Sequence, residues 1–447
     1  MADQGDRPTL TSTPQPTISD RLWLVGIVAV AVLLRLIFIL IIDLKPNFAG
    51  GDVAFYLRYG LELVKNSSPP LAPGPGYLVY VGLIQLFIPT ATVETNTAIL
   101  VIRLLNIIWH VLLILAVYSL GKRYFTIGVA RLAALVIAIS PAFIIEAGTP
   151  VTESVFIALL FATLAIYAAY QDNPNWRIML VVGVLLGIAA LTRAQLLLFP
   201  VLLMAQLIRL HGWRQGLRFA AVLIVAYSLT LSTWTIYNWF KWDRVVVGAE
   251  GIAGTAWMGL YGPQSPQAVD KALGNGVLEG KGNELFIEQV LQKLQSDLPN
   301  YIKIRFANIS TAYLQPHNTP YFPGDSLKDA AAQWFTTDRS LNGLLALTHG
   351  DYFWPKLLLY CFHLWAVIMG WIGLVLCWRR FWILLPIAGY ILYTTAVHSV
   401  LLALPRYLFP IQPALILFAG CMTLELVRVL RRDRNNQVLW RRLGATN

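Results

Sequence analysis

Ten apolar stretches constrain this chain more than anything else in it. They run at about 22–42, 97–119, 128–147, 152–170, 178–192, 195–210, 217–240, 356–377, 382–399 and 405–428. A lipid core offers no water to backbone N–H and C=O groups, so each such stretch must satisfy its own backbone as a helix. About twenty apolar residues suffice to cross. The pair 178–192 and 195–210 is shorter and tightly joined at Thr192-Arg193-Ala194. Composition agrees with this reading: 57% of residues are hydrophobic, 13% are charged, and mean hydropathy is +0.62. That excludes an ordinary soluble globular domain. The expectation is an all-α integral membrane bundle of about ten transmembrane helices.

The net charge of +11 is a statement about topology rather than nucleic acid. Basic residues collect in short connections: Lys122 and Arg123, then Arg177, then Arg209, Arg214 and Arg218, then Arg379 and Arg380, then the tail from Arg428 to Arg442. The positive-inside rule places all of these in the cytoplasm, with both termini. No nucleic-acid partner is expected. Residues 1–21 read as a disordered, polar cytoplasmic leader. Residues 22–240 form an N-terminal transmembrane module, 241–355 an extracytoplasmic loop subdomain, 356–428 the C-terminal transmembrane helices, and 429–447 a basic cytoplasmic tail. Cys361, Cys377 and Cys421 lie in apolar segments and read as core filler. Arg35, inside the first apolar run, has to face protein or a partner acid rather than lipid.

The opposite face gathers the chemistry. Gly50-Gly51-Asp52-Val53-Ala54-Phe55-Tyr56 follows the first span within an outer segment, 43–96. Asp52 is thereby set at the water interface, and a helix would place Tyr56 on the same face four residues on. Arg58 follows in the same stretch. The apolar piece 77–88 is too short to cross, and an extra crossing there would put every later basic cluster on the wrong side, so 54–90 reads as interfacial or re-entrant helices. Thr149-Pro150-Val151-Thr152-Glu153-Ser154 puts Glu153 in the first turn of a helix. There a carboxylate either answers the helix dipole or forms a second acidic wall beside Asp52, with Glu146 as its rival. Arg193 and Arg406 stand at the membrane boundary. Each either pairs with one of these acids or clamps a lipid phosphate, which suits the planar guanidinium fork. Arg103 is a third candidate for that clamp. His398 lies near enough in sequence to share the phosphate, and Tyr407 reads most simply as an interface aromatic. The long loop carries helices at Asn283–Leu298 and Tyr301–Leu314, and its glycines form no phosphate-binding fingerprint.

The order of these motifs resembles a known family. A membrane helix is followed by Asp52-x-x-x-Tyr56, a Pro/Gly turn (Pro73-Gly74-Pro75-Gly76), Thr152-Glu153-Ser154, Gly187-Ile188-Ala189-Ala190-Leu191-Thr192-Arg193, and Pro405-Arg406-Tyr407-Leu408-Phe409-Pro410. This arrangement, over about 22–428, is similar to the polytopic GT-C glycosyltransferases, in the bacterial family 39-like branch related to protein O-mannosyltransferases and aminoarabinose transferases. The chain departs from that branch in having Leu71-Ala72 where a basic residue often precedes the turn. With no large soluble C-terminal domain in this sequence, neither an oligosaccharyltransferase nor a eukaryotic-type mannosyltransferase is expected. The resemblance implies a GT-C-like bundle in a bacterial inner membrane and an inverting transfer of sugar on the extracytoplasmic face. The donor would be a polyprenyl-phosphate sugar and the acceptor a hydroxyl on a lipid, glycan or protein. It also implies Asp52 as general base and Glu153 as a positioning group or ligand of a divalent cation, if one is used. Substrate contacts would come from Tyr56, Arg58, Arg103, Arg193, His398, Arg406 and Tyr407. A transporter or flippase, or a polymerase or ligase of lipid-linked glycans, is the alternative reading.

Overall fold

The structure is a computed structural model that describes residues 18–43, 51–65, 74–88, 97–249, 252–262 and 282–430. Expectations for the leader, the tail, Gly50 and most of the Pro/Gly turn before Gly74 fall outside these residues. All ten apolar stretches are helical, and no strand occurs among the described residues. Seven helical segments are long and apolar enough to cross a membrane, or eight if one bent pair is counted as a span. The protein is a multi-pass membrane protein.

The first span, α1 (Ile18–Ile37), ends in a π-turn at Phe38–Ile42. A hairpin of α2 (Gly51–Val64) and α3 (Pro75–Phe87) follows. At about 1.5 Å per residue, neither arm can cross a core roughly 30 Å thick. The arms touch backbone to backbone: a Cβ built on Gly82 would sit 2.2 Å from the Gly60 carbonyl oxygen. Next come α4 (Thr97–Tyr124), α5 (Ile127–Ile139), α6 (Pro141–Gly148), α7 (Thr152–Tyr170) and α8 (Trp176–Thr192). Helix α7 is apolar on every side and is buried almost throughout, which makes it the centre of the bundle. By contrast, α1 exposes Leu22, Val25, Leu33 and Ile41, a lipid-facing surface.

Three expected spans take a different form. The stretch 128–147 is bent by 52° between α5 and α6, because Pro141 has no N–H and its ring collides with the preceding turn. The stretches 195–210 and 217–240 belong to one helical segment, α9 (Phe199–Trp242), broken at Gly212 with φ +76°. The chain doubles back there. A Cβ on Gly216 would lie 2.5 Å from the Ile208 Cα, whereas eight residues of straight helix span about 12 Å.

The bend in α5–α6 explains Arg35. Proline at position 141 leaves the Ile137 carbonyl without its helical donor, and the kink frees Ala138 as well. Fully buried Arg35 fills both vacancies, donating to Ile137 O at 3.1 Å and Ala138 O at 3.0 Å. It also donates to Ala31 O at 3.0 Å and meets His110 Nδ1 at 3.2 Å. Arg35 thus faces protein, through backbone carbonyls. An Arg35→Met variant leaves two buried acceptors unpaired, at about 1–3 kcal/mol each. Adding Pro141→Ala restores a donor for Ile137, so the double variant should melt above Arg35→Met in the same detergent. Equal melting temperatures would refute this account.

The remaining elements are α10 (Ile252–Tyr261), α11 (Gly282–Ser296), α12 (Leu298–Leu314), α13 (Leu327–Thr337) and α14 (Leu341–Leu347), then α15 (Phe353–Leu376), α16 (Phe381–Val400) and α17 (Gln412–Leu430). Helices α11 and α12 correspond to the two expected in the long loop. Buried Arg305 ties α12 to the far end of α16 and to α10, donating to Leu401 O at 2.7 Å and Ala256 O at 2.8 Å. The basic connections meet at the other end of the bundle. Arg380 donates to Tyr124 O at 3.2 Å, Arg123 pairs with Asp172 at 2.5 Å, and His211 meets Gln171 O at 2.8 Å.

Candidate active site

Helix polarity prepares the end opposite the basic connections. Asp52 and Glu153 occupy the first turns of α2 and α7, where the helix dipole favours a carboxylate. Arg193 caps the C-terminus of α8, where the dipole favours a cation. Helices α7 and α8 are joined by a short connection and have nearly equal lengths, 19 and 17 residues. The start of one therefore lies beside the end of the other. Arg193 and Glu153 meet at 2.7 Å.

Arg406, in the short turn Pro405–Leu408, links this pair to Asp52. Its Nη1 binds Asp52 Oδ2, and its Nε lies 3.5 Å from Glu153 Oε1. The result is an alternating row, Asp52–Arg406–Glu153–Arg193. The two ends of the row differ in solvation. Glu153 is 1% exposed, whereas the Asp52 side chain is 47% exposed. A buried carboxylate needs several compensating partners, and Glu153 has them: both arginines and the Thr152 hydroxyl, which donates at 2.9 Å. Asp52 is the carboxylate that a substrate can reach.

Tyr407 is half-buried among charged and aromatic side chains. The Arg193 and Arg406 guanidinium carbons stand 5.6 and 5.5 Å from its ring centre, and His398 stacks on it at 5.3 Å. Both nitrogens of buried His398 are engaged, Nδ1 with Leu402 O at 3.0 Å and Nε2 with Gln195 Oε1 at 3.1 Å. His398 therefore supports the Tyr407 wall and has no nitrogen spare for a phosphate. Tyr56 is buried against Tyr77, with ring centres 5.0 Å apart. Burial lifts its hydroxyl well above the usual range, and the negative charges of Glu153 and Asp52 add to the effect. It stays protonated, as a hydrogen-bond donor.

Two candidates stand apart from this row. Arg103 is buried and pairs with Asp43, reaching its carboxylate at 2.7 Å and its carbonyl at 2.9 Å. Arg58 is exposed and pairs with Glu62 at 3.2 Å, one turn along α2. An Arg58→Gln variant should lose no more than about 0.3–0.5 kcal/mol of stability, the contribution of an exposed i,i+4 pair. A larger loss in chemical unfolding in one detergent would count against this placement. Glu146, the rival to Glu153, accepts from Asn318 at 3.2 Å and contacts His317 at 2.7 Å. Sequence reasoning missed His317, Asn318 and Gln195, because a single polar residue in a loop or short turn carries no periodic or spacing signal. Among the described residues no group of three His, Cys, Asp or Glu side chains is arranged to hold a metal ion, and both carboxylates of the row are matched by arginines.

Known proteins share this architecture. The family model for dolichyl-phosphate-mannose-protein mannosyltransferase matches residues 83–238, a stretch that contains Glu153 and Arg193 and leaves out Asp52 and Arg406. The oligosaccharyltransferase AglB of Archaeoglobus fulgidus, solved with an inhibitory peptide and a dolichol-phosphate, superposes with a TM-score of 0.54 at 15% identity. That alignment covers 96% of this chain and 53% of AglB. The same enzyme tethered to an acceptor peptide carrying an NVT sequon gives 0.53 at 13% identity, over 95% and 53% of the two chains. The chain has the GT-C glycosyltransferase fold. It spans about half the length of the GT-C enzyme that it superposes on. No curated protein matches its sequence.

Proposed function

We propose that the chain is a glycosyltransferase that moves a sugar from a polyprenyl-phosphate-linked donor to a hydroxyl acceptor. The acceptor belongs to a lipid, glycan or protein. The reaction takes place on the extracytoplasmic side of a bacterial inner membrane, with both termini in the cytoplasm. The GT-C fold supports the reaction class. The observation that carries the proposal is Arg406 bridging an exposed carboxylate and a buried one.

In the resting site Arg406 holds Asp52 in an ion pair that occupies one carboxylate oxygen. A donor phosphate competes for the same guanidinium, and bidentate Arg–phosphate contacts are strong. As Arg406 turns to the phosphate, Asp52 is released beside the acceptor. The acceptor oxygen attacks the anomeric carbon and the anomeric C–O bond to phosphate breaks. The hydroxyl proton passes to Asp52, and polyprenyl phosphate departs with its charge held by Arg406 and Arg193. Attack opposite the leaving group inverts the anomeric centre. Glu153 fixes both arginines, and the Tyr56 hydroxyl donates to the sugar or acceptor.

The test is a transfer assay on purified protein with a panel of radiolabelled polyprenyl-phosphate sugars and an envelope extract as acceptor. Inverted product from one donor is expected. Donor that binds without turnover, and crosses the bilayer in liposomes, would replace this reading with transport.

A further inference from the structure

The basic end of the bundle holds a cavity of about 490 Å³, lined by Trp176, Arg214, Gln215, Arg218, Phe219 and Val222. It lies just past the hairpin at Gly212, against the start of α8. Arg214 and Arg218 are one helical turn apart and exposed. Neither forms an ion pair or hydrogen bond among the described residues, although neighbouring connections do use their basic residues, Arg123 on Asp172 and Arg380 on Tyr124 O. Apart from Gln215, the remaining wall is aromatic and apolar. It runs directly into a lipid-facing stripe, because Val225 (56% exposed) and Leu229 (64% exposed) continue the face of Val222 at three and seven residues on.

We infer that this cavity binds an anionic glycerophospholipid of the surrounding leaflet. The headgroup phosphate sits between Arg214 and Arg218, and an acyl chain lies along Phe219, Val222 and Val225. The charge is complementary: two uncompensated guanidiniums at the basic end of the bundle favour a phosphate with no second cation of its own. The apolar continuation selects a ligand with a tail over a free anion. Trp176, with Arg177 stacked on it at 5.5 Å, supplies an amphipathic edge at headgroup level. The site stands at the other end of the bundle from the Asp52–Arg406 row, so it does not depend on the transfer proposal.

Native mass spectrometry of the full chain tests it, by titration with phosphatidylglycerol, phosphatidylcholine or inorganic phosphate. Saturable phosphatidylglycerol binding is expected, weakened about tenfold to thirtyfold in Arg214→Gln/Arg218→Gln, as two interfacial cations are removed. Little change is expected in a charge-matched control, Arg21→Gln/Lys122→Gln. Hydrogen exchange on the unmodified protein supplies a second readout, with slower exchange over 206–222 when phosphatidylglycerol is added. Equal binding by both double variants would overturn the inference. Equal affinity for phosphatidylcholine, or protection of 206–222 by inorganic phosphate alone, would also overturn it.

Discussion

Asp52→Asn should reduce sugar transfer by about 10²–10⁴-fold, the usual range for loss of a positioned general base, and leave the fold intact. Asparagine keeps the shape but accepts no proton from the attacking hydroxyl. The pair that Asp52 makes with Arg406 is partly exposed on both sides, and such pairs contribute at most about 1 kcal/mol. The melting temperature should therefore hardly move. Donor affinity separates this role from a structural one: releasing Arg406 from Asp52 leaves the guanidinium free for phosphate, so donor should bind at least as tightly as to the unmodified protein. Single-turnover transfer and donor binding on the same preparation give both numbers. Transfer retained within tenfold would remove Asp52 from the chemistry.

Arg193→Met is expected to cause a large loss of stability. Glu153 is buried and depends on Arg193 at 2.7 Å, with Arg406 farther off at 3.5 Å. Leaving one partner of a buried pair unmatched typically costs about 3–5 kcal/mol. Glu153→Gln removes the charge that Arg193 neutralises, so the double variant Glu153→Gln/Arg193→Met should recover much of the loss. A double-mutant cycle of unfolding free energies in one detergent measures the coupling. Additive costs would mean that the two side chains do not support one another. Activity should not recover with stability, because the double variant also lacks a cation for the leaving phosphate.

Half of the charged row can be read from the chain itself. Helix ends follow local signals, so Glu153 in a first turn and Arg193 after a last turn are legible. Two nearly equal helices joined by a short connection bring those ends together. Asp52 is legible as an acid just past a membrane helix, and Arg406 as a cation at another boundary. Their pairing is not, since 354 residues separate them and no short-range pattern reports a contact at that distance. Arg103 shows the converse. Its position at a helix start resembles that of a phosphate ligand, but Asp43, just past the π-turn that ends the first span, pairs with it. Arg58 is equally ambiguous in sequence, and the orientation of α2 turns it outward to Glu62.

The sequence by itself determined the membrane class, the ten helical stretches, the end at which the basic connections gather and the end at which the acids stand. Apolar length, helix termini and charge asymmetry act over one turn to one span of chain, so a linear reading recovers them. Tertiary structure alone decided that Pro141 bends a span and makes Arg35 its cap, that the chain reverses at Gly212, and which arginine meets which carboxylate. Those outcomes depend on how closely helices approach. That approach is set by contacts such as Gly60 against Gly82 and by the docking of α12 on α16, between residues far apart in sequence.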